Sequence, residues 1–268
     1  MEVRVLSWAH ASVRSVLEPV SSTGTPGPLS AGTVHVWFLD RTGPPEPGWL
    51  EILDDEERER AMRFRTRQQH DAFAASHALV RTALSAYARR APGDWRFAIS
   101  PEGCPSVLGT SELSFSLTHA GARAAVAIGT GEALGLDLEP IRPERDPMTL
   151  ARRFFGPAET AWLTGRLPAD RPASFAALWT VKEAVLKARG CGLTEPLHSV
   201  EVDMDSSGRP VLVRAPGGPW ALRSWSPEPG WCAALAVRGE ALTVSTFRAR
   251  PLGPPVLAPE LGPERSVA

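Results

Sequence analysis

The order of the secondary-structure patterns constrains this fold most, because the same order occurs twice along the chain. Apolar alternation predicts a strand over Val34–Leu39, and helical spacing predicts a long helical stretch over Asp54–Arg90 with a bend near Thr66. Two further strands are predicted over Leu113–Leu117 and Ala122–Ile128, separated by a glycine-containing turn. The first series is therefore strand, helices, strands.

A second series of the same kind begins with a short predicted strand over Leu134–Glu139. Helices are predicted from Pro157 and over Pro172–Arg189, because proline suits the first turn of a helix. Five strand-like segments follow: Val200–Met204, Pro210–Arg214, Trp220–Trp225, Trp231–Val237 and Leu242–Phe247.

The repeated order predicts an α+β fold of two similar halves, 33–133 and 134–250. No clear sequence repeat accompanies it, so the duplication is inferred from element order alone. Residues 1–32 contain a Ser/Thr/Gly/Pro-rich stretch and are expected to be disordered. Residues 251–268 are expected to form a proline-rich tail.

Composition excludes several functional classes. With 268 residues and 43% hydrophobic content, the chain can bury one large core or two small ones. A formal net charge of −1 gives no long-range field toward nucleic acid or an anionic membrane, so neither is an expected partner. No apolar run approaches the roughly 18 residues of a membrane span, and the N-terminus does not resemble a secretory signal. Three cysteines without a CxxC pair favour a reducing, cytoplasmic setting over disulfides or zinc.

Two carboxylates mark the strand Gly135-Leu136-Asp137-Leu138-Glu139. Alternate residues of a strand share a face, so Asp137 and Glu139 are predicted to project side by side. Neighbouring carboxylates repel unless a cation or proton lies between them, and such oxygen ligands suit Mg²⁺. Two solvated charges at a strand end are the common alternative.

The predicted helix around Trp179 carries the chain's only lysines, Lys182 and Lys187, among 29 basic residues. Glu183 and Lys187 are four residues apart and therefore share one helix face. An ordinary surface ion pair is the alternative, but arginine would serve equally well there. Lysine differs because it can release a proton when its pKa is lowered, which weakly favours a functional site.

Two further clusters could bind phosphate. Thr118 and His119 stand before a turn at Gly121, where a hydroxyl and an imidazole could hold an anion; a local hydrogen bond in the turn is the alternative. An arginine-rich run could contact a multiply charged phosphate, although a solvated helix face is the usual explanation of such runs. Its members are Arg58, Arg60, Arg63, Arg65 and Arg67.

Together these residues resemble the surfactin-synthetase-activating class of 4'-phosphopantetheinyl transferases. That family has a G-x-D-x-E strand followed about 40 residues later by a W-x-x-K-E-x-x-x-K helix, and both occur here, from Gly135 and from Trp179. A Ser/Thr-His turn precedes them, as Thr118-His119, and the family often has a run like Arg152-Arg153-Phe154-Phe155. The resemblance covers about residues 34–250. Each motif alone is weak, but the two in this order and spacing are specific.

The resemblance implies a pseudo-dimer of two α+β halves with the active site in the cleft between them. It implies that Asp137, Glu139 and Glu183 bind Mg²⁺, and that the pyrophosphate of coenzyme A binds the same ion. The residues implied to contact coenzyme A are Arg60, Arg63, Thr118, His119, Asp137, Lys182 and Lys187. Glu183, or a metal-bound water, is the implied base, and Lys187 would neutralise or protonate the departing phosphate.

The implied reaction transfers the phosphopantetheine arm of coenzyme A to a serine of an apo acyl or peptidyl carrier protein, and releases adenosine 3',5'-bisphosphate. We expect a cytoplasmic monomer serving polyketide or nonribosomal peptide synthesis. Two departures from the family are cysteines, Cys104 and Cys191, where lysine is frequent; Glu57 likewise stands where lysine can occur. They keep open a non-catalytic module that binds coenzyme A or a carrier. A different Mg²⁺-dependent nucleotide-processing enzyme is a second alternative.

Overall fold

A computed structural model describes residues 26–40, 48–109, 112–131, 133–190, 195–205 and 208–249. Most of the segment predicted to be disordered, residues 1–25, lies outside the described residues, and so does the tail 251–268. Among the described residues, none of the helices combines the length and apolar character that crossing a membrane requires.

In its described residues, the first half contains five strands, two α-helices and a short 3₁₀ helix over Pro92–Asp94. The predicted helical stretch is two helices, because Thr66 interrupts it by capping the second one: its hydroxyl accepts a hydrogen bond from the backbone of Gln69. Asp54 caps the first helix in the same way. The elements are β1 (Thr33–Asp40), α1 (Asp55–Met62), α2 (Arg67–Ser85), β2 (Phe97–Ile99), β3 (Pro105–Val107), β4 (Ser114–Ala120) and β5 (Arg123–Gly129).

The second half follows the same plan with an additional helix. The helix over Pro147–Phe154 was not predicted, although Asp146 and Pro147 form a recognisable start signal. The elements are β6 (Leu134–Pro140), α3 (Pro147–Phe154), α4 (Pro157–Thr164), α5 (Arg171–Ala188), β7 (Glu201–Met204), β8 (Pro210–Arg214), β9 (Trp220–Trp225), β10 (Trp231–Arg238) and β11 (Thr243–Arg248).

The two larger sheets share one strand order. The first contains β1-β5-β4 and the second β6-β10-β9, with antiparallel pairing throughout these strands. The α+β prediction is confirmed, and the repeated order supports a pseudo-dimer. The last strand departs from the predicted division into halves. β11 lies within 134–250 but pairs in parallel with β1, so the chain returns to the first sheet at its end.

Three larger apolar cores and one small cluster, counted over the described residues, hold these layers together. Helix α2 packs on one face of the first sheet, and helix α5 packs on one face of the second. The third core lies where the two sheets meet, and there Val36 and Ala125 pack with Leu136 and Leu235. Since Leu134, Leu136 and Leu138 all belong to this third core, the alternate residues of β6 face α5 instead.

Gly135 permits an unusually close approach between β6 and α5. A Cβ atom built on Gly135 would lie 2.0 Å from the carbonyl oxygen of Ala184 and 2.3 Å from the amide nitrogen of Ala188. Both atoms are helix backbone, so only glycine allows the strand and the helix to lie this close. Asp137 is on the same face of β6 as Gly135, and the close packing therefore brings it to the helix face that carries Glu183 and Lys187.

Candidate active site

The carboxylate of Asp137 lies at the centre of the predicted site and is almost completely buried. Its Oδ1 atom accepts hydrogen bonds from Lys187 Nζ at 2.6 Å and from Thr118 Oγ1 at 3.2 Å. These three side chains come from β6, α5 and β4. The site therefore spans the boundary between the two halves, as the resemblance implies.

Lys187 ties the site to both halves. Its ammonium group also donates to the backbone carbonyl of Leu136 at 3.2 Å and to Thr118 Oγ1 at 3.3 Å. The side chain remains 28% exposed, so a ligand entering from solvent can reach it. The predicted alternative, a simple surface pair between Glu183 and Lys187, does not occur, because the partner of Lys187 is Asp137.

The negative charge of Asp137 acts on the carboxyl groups of Glu139 and Glu183. Burial, followed by the negative charges of Asp137 and Glu183, raises the pKa of Glu139 to about 7, although Lys187 and Arg142 oppose the shift. Burial and the charge of Asp137 likewise raise the pKa of Glu183, and Lys187 again opposes the shift. Three carboxylates that destabilise one another in this way form a site of strongly negative potential.

A metal ion is chemically suited to this position. Asp137 Oδ2 is buried and has no hydrogen-bond partner within the described part of the chain, so one carboxylate oxygen is left unsatisfied. Oxygen ligands from two or three carboxylates are a donor set that Mg²⁺ accepts. However, across the described residues no three His, Cys, Asp or Glu side chains stand in a metal-binding arrangement. The side chains would have to adjust to bind an ion, and the metal assignment stays a prediction.

His119 and the two predicted arginines, Arg60 and Arg63, belong to the first half of the chain. Loss of hydration, and then the positive charges of Lys187 and His77, hold the pKa of His119 below its ordinary value. The His77 ring stacks on Phe73 with 3.9 Å between ring centroids, and Arg60 lies over Phe73 at 5.5 Å. Arg60 and His77 therefore contact the same aromatic ring, and the contact of Arg60 with coenzyme A stays a prediction.

Arg63 stands at the end of α1, where it is exposed and pairs with Glu59 at 3.4 Å. An exposed pair of this kind contributes little and can exchange for a ligand at small cost. Its contact with coenzyme A stays a prediction.

Lys182 does not face the cleft, contrary to the prediction that it lines the pyrophosphate. Its side chain is completely buried, and its ammonium group lies 2.6 Å from Glu159 Oε1. It also donates to the backbone carbonyls of Leu197 and Val200. The cause is helical geometry: Lys182 and Lys187 are five residues apart and so point in different directions, whereas Glu183 and Lys187 are four apart.

A buried polar network beneath the arginine-rich helix was missed. Arg81 is fully buried and donates to Glu57 and Asp54, while His77 Nδ1 lies 2.9 Å from Glu57 Oε1. These hydrogen bonds outweigh the effect of burial and lower the pKa of Glu57. Asp54-x-x-Glu57 is a capping box, a signal visible in the sequence, but the role of Arg81 had no local signal. Glu57 therefore holds α1 against α2 through His77 and Arg81, which is a structural role.

The two cysteines that depart from the family pattern, Cys104 and Cys191, belong to opposite halves of the chain. Cys104 Sγ lies 3.6 Å from the position that a Cβ atom on Gly190 would occupy, so the turn before β3 approaches the end of α5. Cys191 lies outside the described residues.

In this geometry acidic groups and one lysine converge where the two α+β halves meet, an arrangement typical of an enzyme active site. The sequence profile described as the 4'-phosphopantetheinyl transferase superfamily matches residues 133–236. The 4'-phosphopantetheinyl transferase HetI of Nostoc sp. PCC 7120 is 32% identical over 79% of this chain and 90% of its own length. The 4'-phosphopantetheinyl transferase Sfp of Bacillus subtilis is 25% identical over 74% of this chain and 90% of its own. The chain belongs to the 4'-phosphopantetheinyl transferase family.

Among solved structures, a holo-(acyl-carrier-protein) synthase from Bacillus anthracis in complex with CoA aligns with a TM-score of 0.35 and 24% identity. The alignment covers 39% of this chain and 93% of that one.

Proposed function

We propose that this enzyme transfers the 4'-phosphopantetheine arm of coenzyme A to a serine of an acyl or peptidyl carrier protein in a Mg²⁺-dependent reaction. The observation that carries the proposal is the buried carboxylate of Asp137, which has one unsatisfied oxygen and lies beside Lys187, Glu139 and Glu183. Such a site can hold a divalent ion and a diphosphate together. The family relation supports the same reaction.

Asp137, Glu139 and Glu183 would hold the ion. When bound, Mg²⁺ would neutralise charge on the phosphate oxygens of coenzyme A. The raised pKa values of Glu139 and Glu183 agree with this role, because a divalent cation favours the ionised form of each carboxyl group.

In the proposed reaction the serine oxygen forms a bond to the β-phosphorus of coenzyme A, and the bond from that phosphorus to the bridging oxygen breaks. Adenosine 3',5'-bisphosphate leaves with the bonding electrons. Glu183 accepts the serine proton, directly or through a water, and a raised pKa suits a base that acts near neutrality. A metal ion held by Glu183 would reduce that basicity, so a water on the ion would be the competing choice for the base.

The remaining residues position coenzyme A. Lys187 balances the charge that develops on the leaving phosphate, and Thr118 and His119 contact the 3'-phosphate side. Arg60 and Arg63 approach the same ligand from α1. Phosphoryl transfer depends mainly on such positioning and charge neutralisation.

The direct test incubates the protein with coenzyme A, Mg²⁺ and a panel of apo-carriers, and weighs the carriers by mass spectrometry. We expect Asp137→Ala and Glu183→Gln to abolish the mass increase while circular dichroism shows a retained fold. Glu240→Gln is the matched control and should transfer normally, because Glu240 is exposed and follows the end of β10 that pairs with Leu134, whereas Glu139 pairs near the other end. Full transfer by either site variant contradicts the assignment.

A non-catalytic module that binds coenzyme A or a carrier is the second candidate. The two cysteine departures motivate it, because the family often has lysine where this chain has Cys104 and Cys191. That module would bind coenzyme A without forming a product. A Mg²⁺-dependent nucleotide-processing enzyme would instead consume coenzyme A without any carrier. We further propose that the protein acts as a cytoplasmic monomer.

A further inference from the structure

Lys187 already supplies a positive charge at Asp137, the central carboxylate of the proposed metal site. Its ammonium group has three hydrogen-bond acceptors: Asp137 Oδ1, the carbonyl oxygen of Leu136 and the hydroxyl oxygen of Thr118. The ammonium therefore neutralises the central carboxylate of the site from within the protein. A divalent ion bound to Asp137 would lie next to this positive charge.

The charge of Lys187 extends beyond its own ion pair. It acts on both Glu139 and Glu183, where it opposes the rise in pKa that burial and Asp137 cause. A group that stabilises the negative charge of every proposed metal ligand also repels any cation that those ligands bind. The same interactions therefore lower the affinity of the free protein for a metal ion.

The ammonium group of Lys187 can also exchange Asp137 for an anion that enters from solvent. Its side chain is 28% exposed, whereas that of Asp137 is 5% exposed, so an anion from solvent reaches Lys187 before it reaches the carboxylate. A diphosphate offers the ammonium several negative oxygens in exchange for one. It can therefore draw Lys187 away from Asp137 without leaving the ammonium unpaired.

We propose, on the basis of the proposed function, that Lys187 is a resident cation that couples metal binding to diphosphate binding. In the free protein it stands in for the metal at Asp137, and the metal affinity is low. Diphosphate binding transfers the ammonium to the phosphate oxygens, frees Asp137 Oδ1 in addition to the already unpaired Oδ2, and raises the affinity for the metal. Because such coupling is reciprocal, the metal raises the affinity for the diphosphate by the same factor.

The test measures Mn²⁺ binding by electron paramagnetic resonance, with and without coenzyme A, after correction for the Mn²⁺–coenzyme A complex measured without protein. Lys187→Met keeps the length of the side chain and removes its charge. Lys187→Arg keeps the charge. Thr118→Val removes two hydrogen bonds from the same cluster, to Asp137 and from Lys187, and leaves its charge unchanged, so it is the control for simple loosening of Asp137.

In the absence of coenzyme A, Lys187→Met should bind Mn²⁺ roughly 5- to 150-fold more tightly than the wild type, the usual range of a coupling between sites. Coenzyme A should tighten Mn²⁺ binding by a similar factor in the wild type and by much less in Lys187→Met. Lys187→Arg and Thr118→Val should keep the weak affinity of the wild type. A Lys187→Met affinity equal to or weaker than that of the wild type overturns the inference, as does equal tightening in Lys187→Arg or Thr118→Val.

Failure of the inference and failure of the proposed function give different results. Normal carrier modification by the wild type, together with an unchanged Mn²⁺ affinity in Lys187→Met, overturns the coupling and leaves the transferase standing. An Asp137→Ala variant that binds Mn²⁺ as the wild type does, in a wild type that modifies no carrier, overturns the metal site and the function together.

Discussion

Replacing Gly135 with alanine tests whether the close contact between β6 and α5 builds the site. The added Cβ would lie 2.0 Å from the carbonyl oxygen of Ala184, whereas ordinary van der Waals contact begins at 3.4 Å. The built distance is 1.4 Å shorter than an ordinary contact. The obstructing atoms are helix backbone, which no change of rotamer can move. Helix α5 must therefore shift as a unit, or the strand must bend.

The expected losses of stability and of catalytic rate follow from that displacement. Overpacking a core lowers the free energy of unfolding by about 1–3 kcal/mol, and we expect a clash with backbone to lower it by about 3 kcal/mol. For a chain of this size that corresponds to a fall in Tm of roughly 6–12 °C. Glu183 and Lys187 would move with the helix, and a misplacement of about 1 Å can cost about 100-fold in rate. Catalysis should thus fall more than stability does.

Thermal unfolding and the initial rate of holo-carrier formation, measured at a temperature where the variant remains folded, separate the two effects. Gly93→Ala is the matched control, because a Cβ at Gly93 meets no heavy atom within 4 Å. A Gly135→Ala protein with the Tm and kcat of the wild type would refute the reasoning, since it would mean that α5 does not depend on this contact.

The remaining predictions concern two ionisable groups. Lys182→Met should lower the free energy of unfolding by about 3–5 kcal/mol in urea titrations, because it leaves the buried carboxylate of Glu159 without its ion-pair partner. The KM for coenzyme A should stay near that of the wild type. A raised KM with intact stability would instead indicate that Lys182 contacts coenzyme A. The pKa of Glu139 is raised from 4.5 to about 7, so the folded protein keeps a proton there that the unfolded chain loses. The free energy of unfolding of the metal-free protein should therefore fall as the pH rises from 4.5 to about 7, and Glu139→Gln should flatten this dependence. Identical pH profiles for the wild type and Glu139→Gln would count against a raised pKa at Glu139.

Local periodicity predicted the pieces of the site well. Alternation along β6 predicted that Asp137 and Glu139 share a face while Leu136 and Leu138 are buried on the other, and the sheet-to-sheet core bears this out for the leucines. Spacing four residues apart predicted that Glu183 and Lys187 share a helix face. The short strands β2 and β3 escaped prediction because three residues are too few to show a period.

The sequence by itself determined the order of strands and helices, the caps at Asp54 and Thr66, and the faces on which neighbouring residues project. These features depend on interactions within a few residues, so the local sequence contains them. Only the tertiary structure decided which distant groups meet. Lys187 pairs with Asp137 across fifty residues, Lys182 is buried against Glu159, and β11 returns to β1. Such contacts depend on how whole elements pack, and that packing is decided by shape and burial summed over the entire fold.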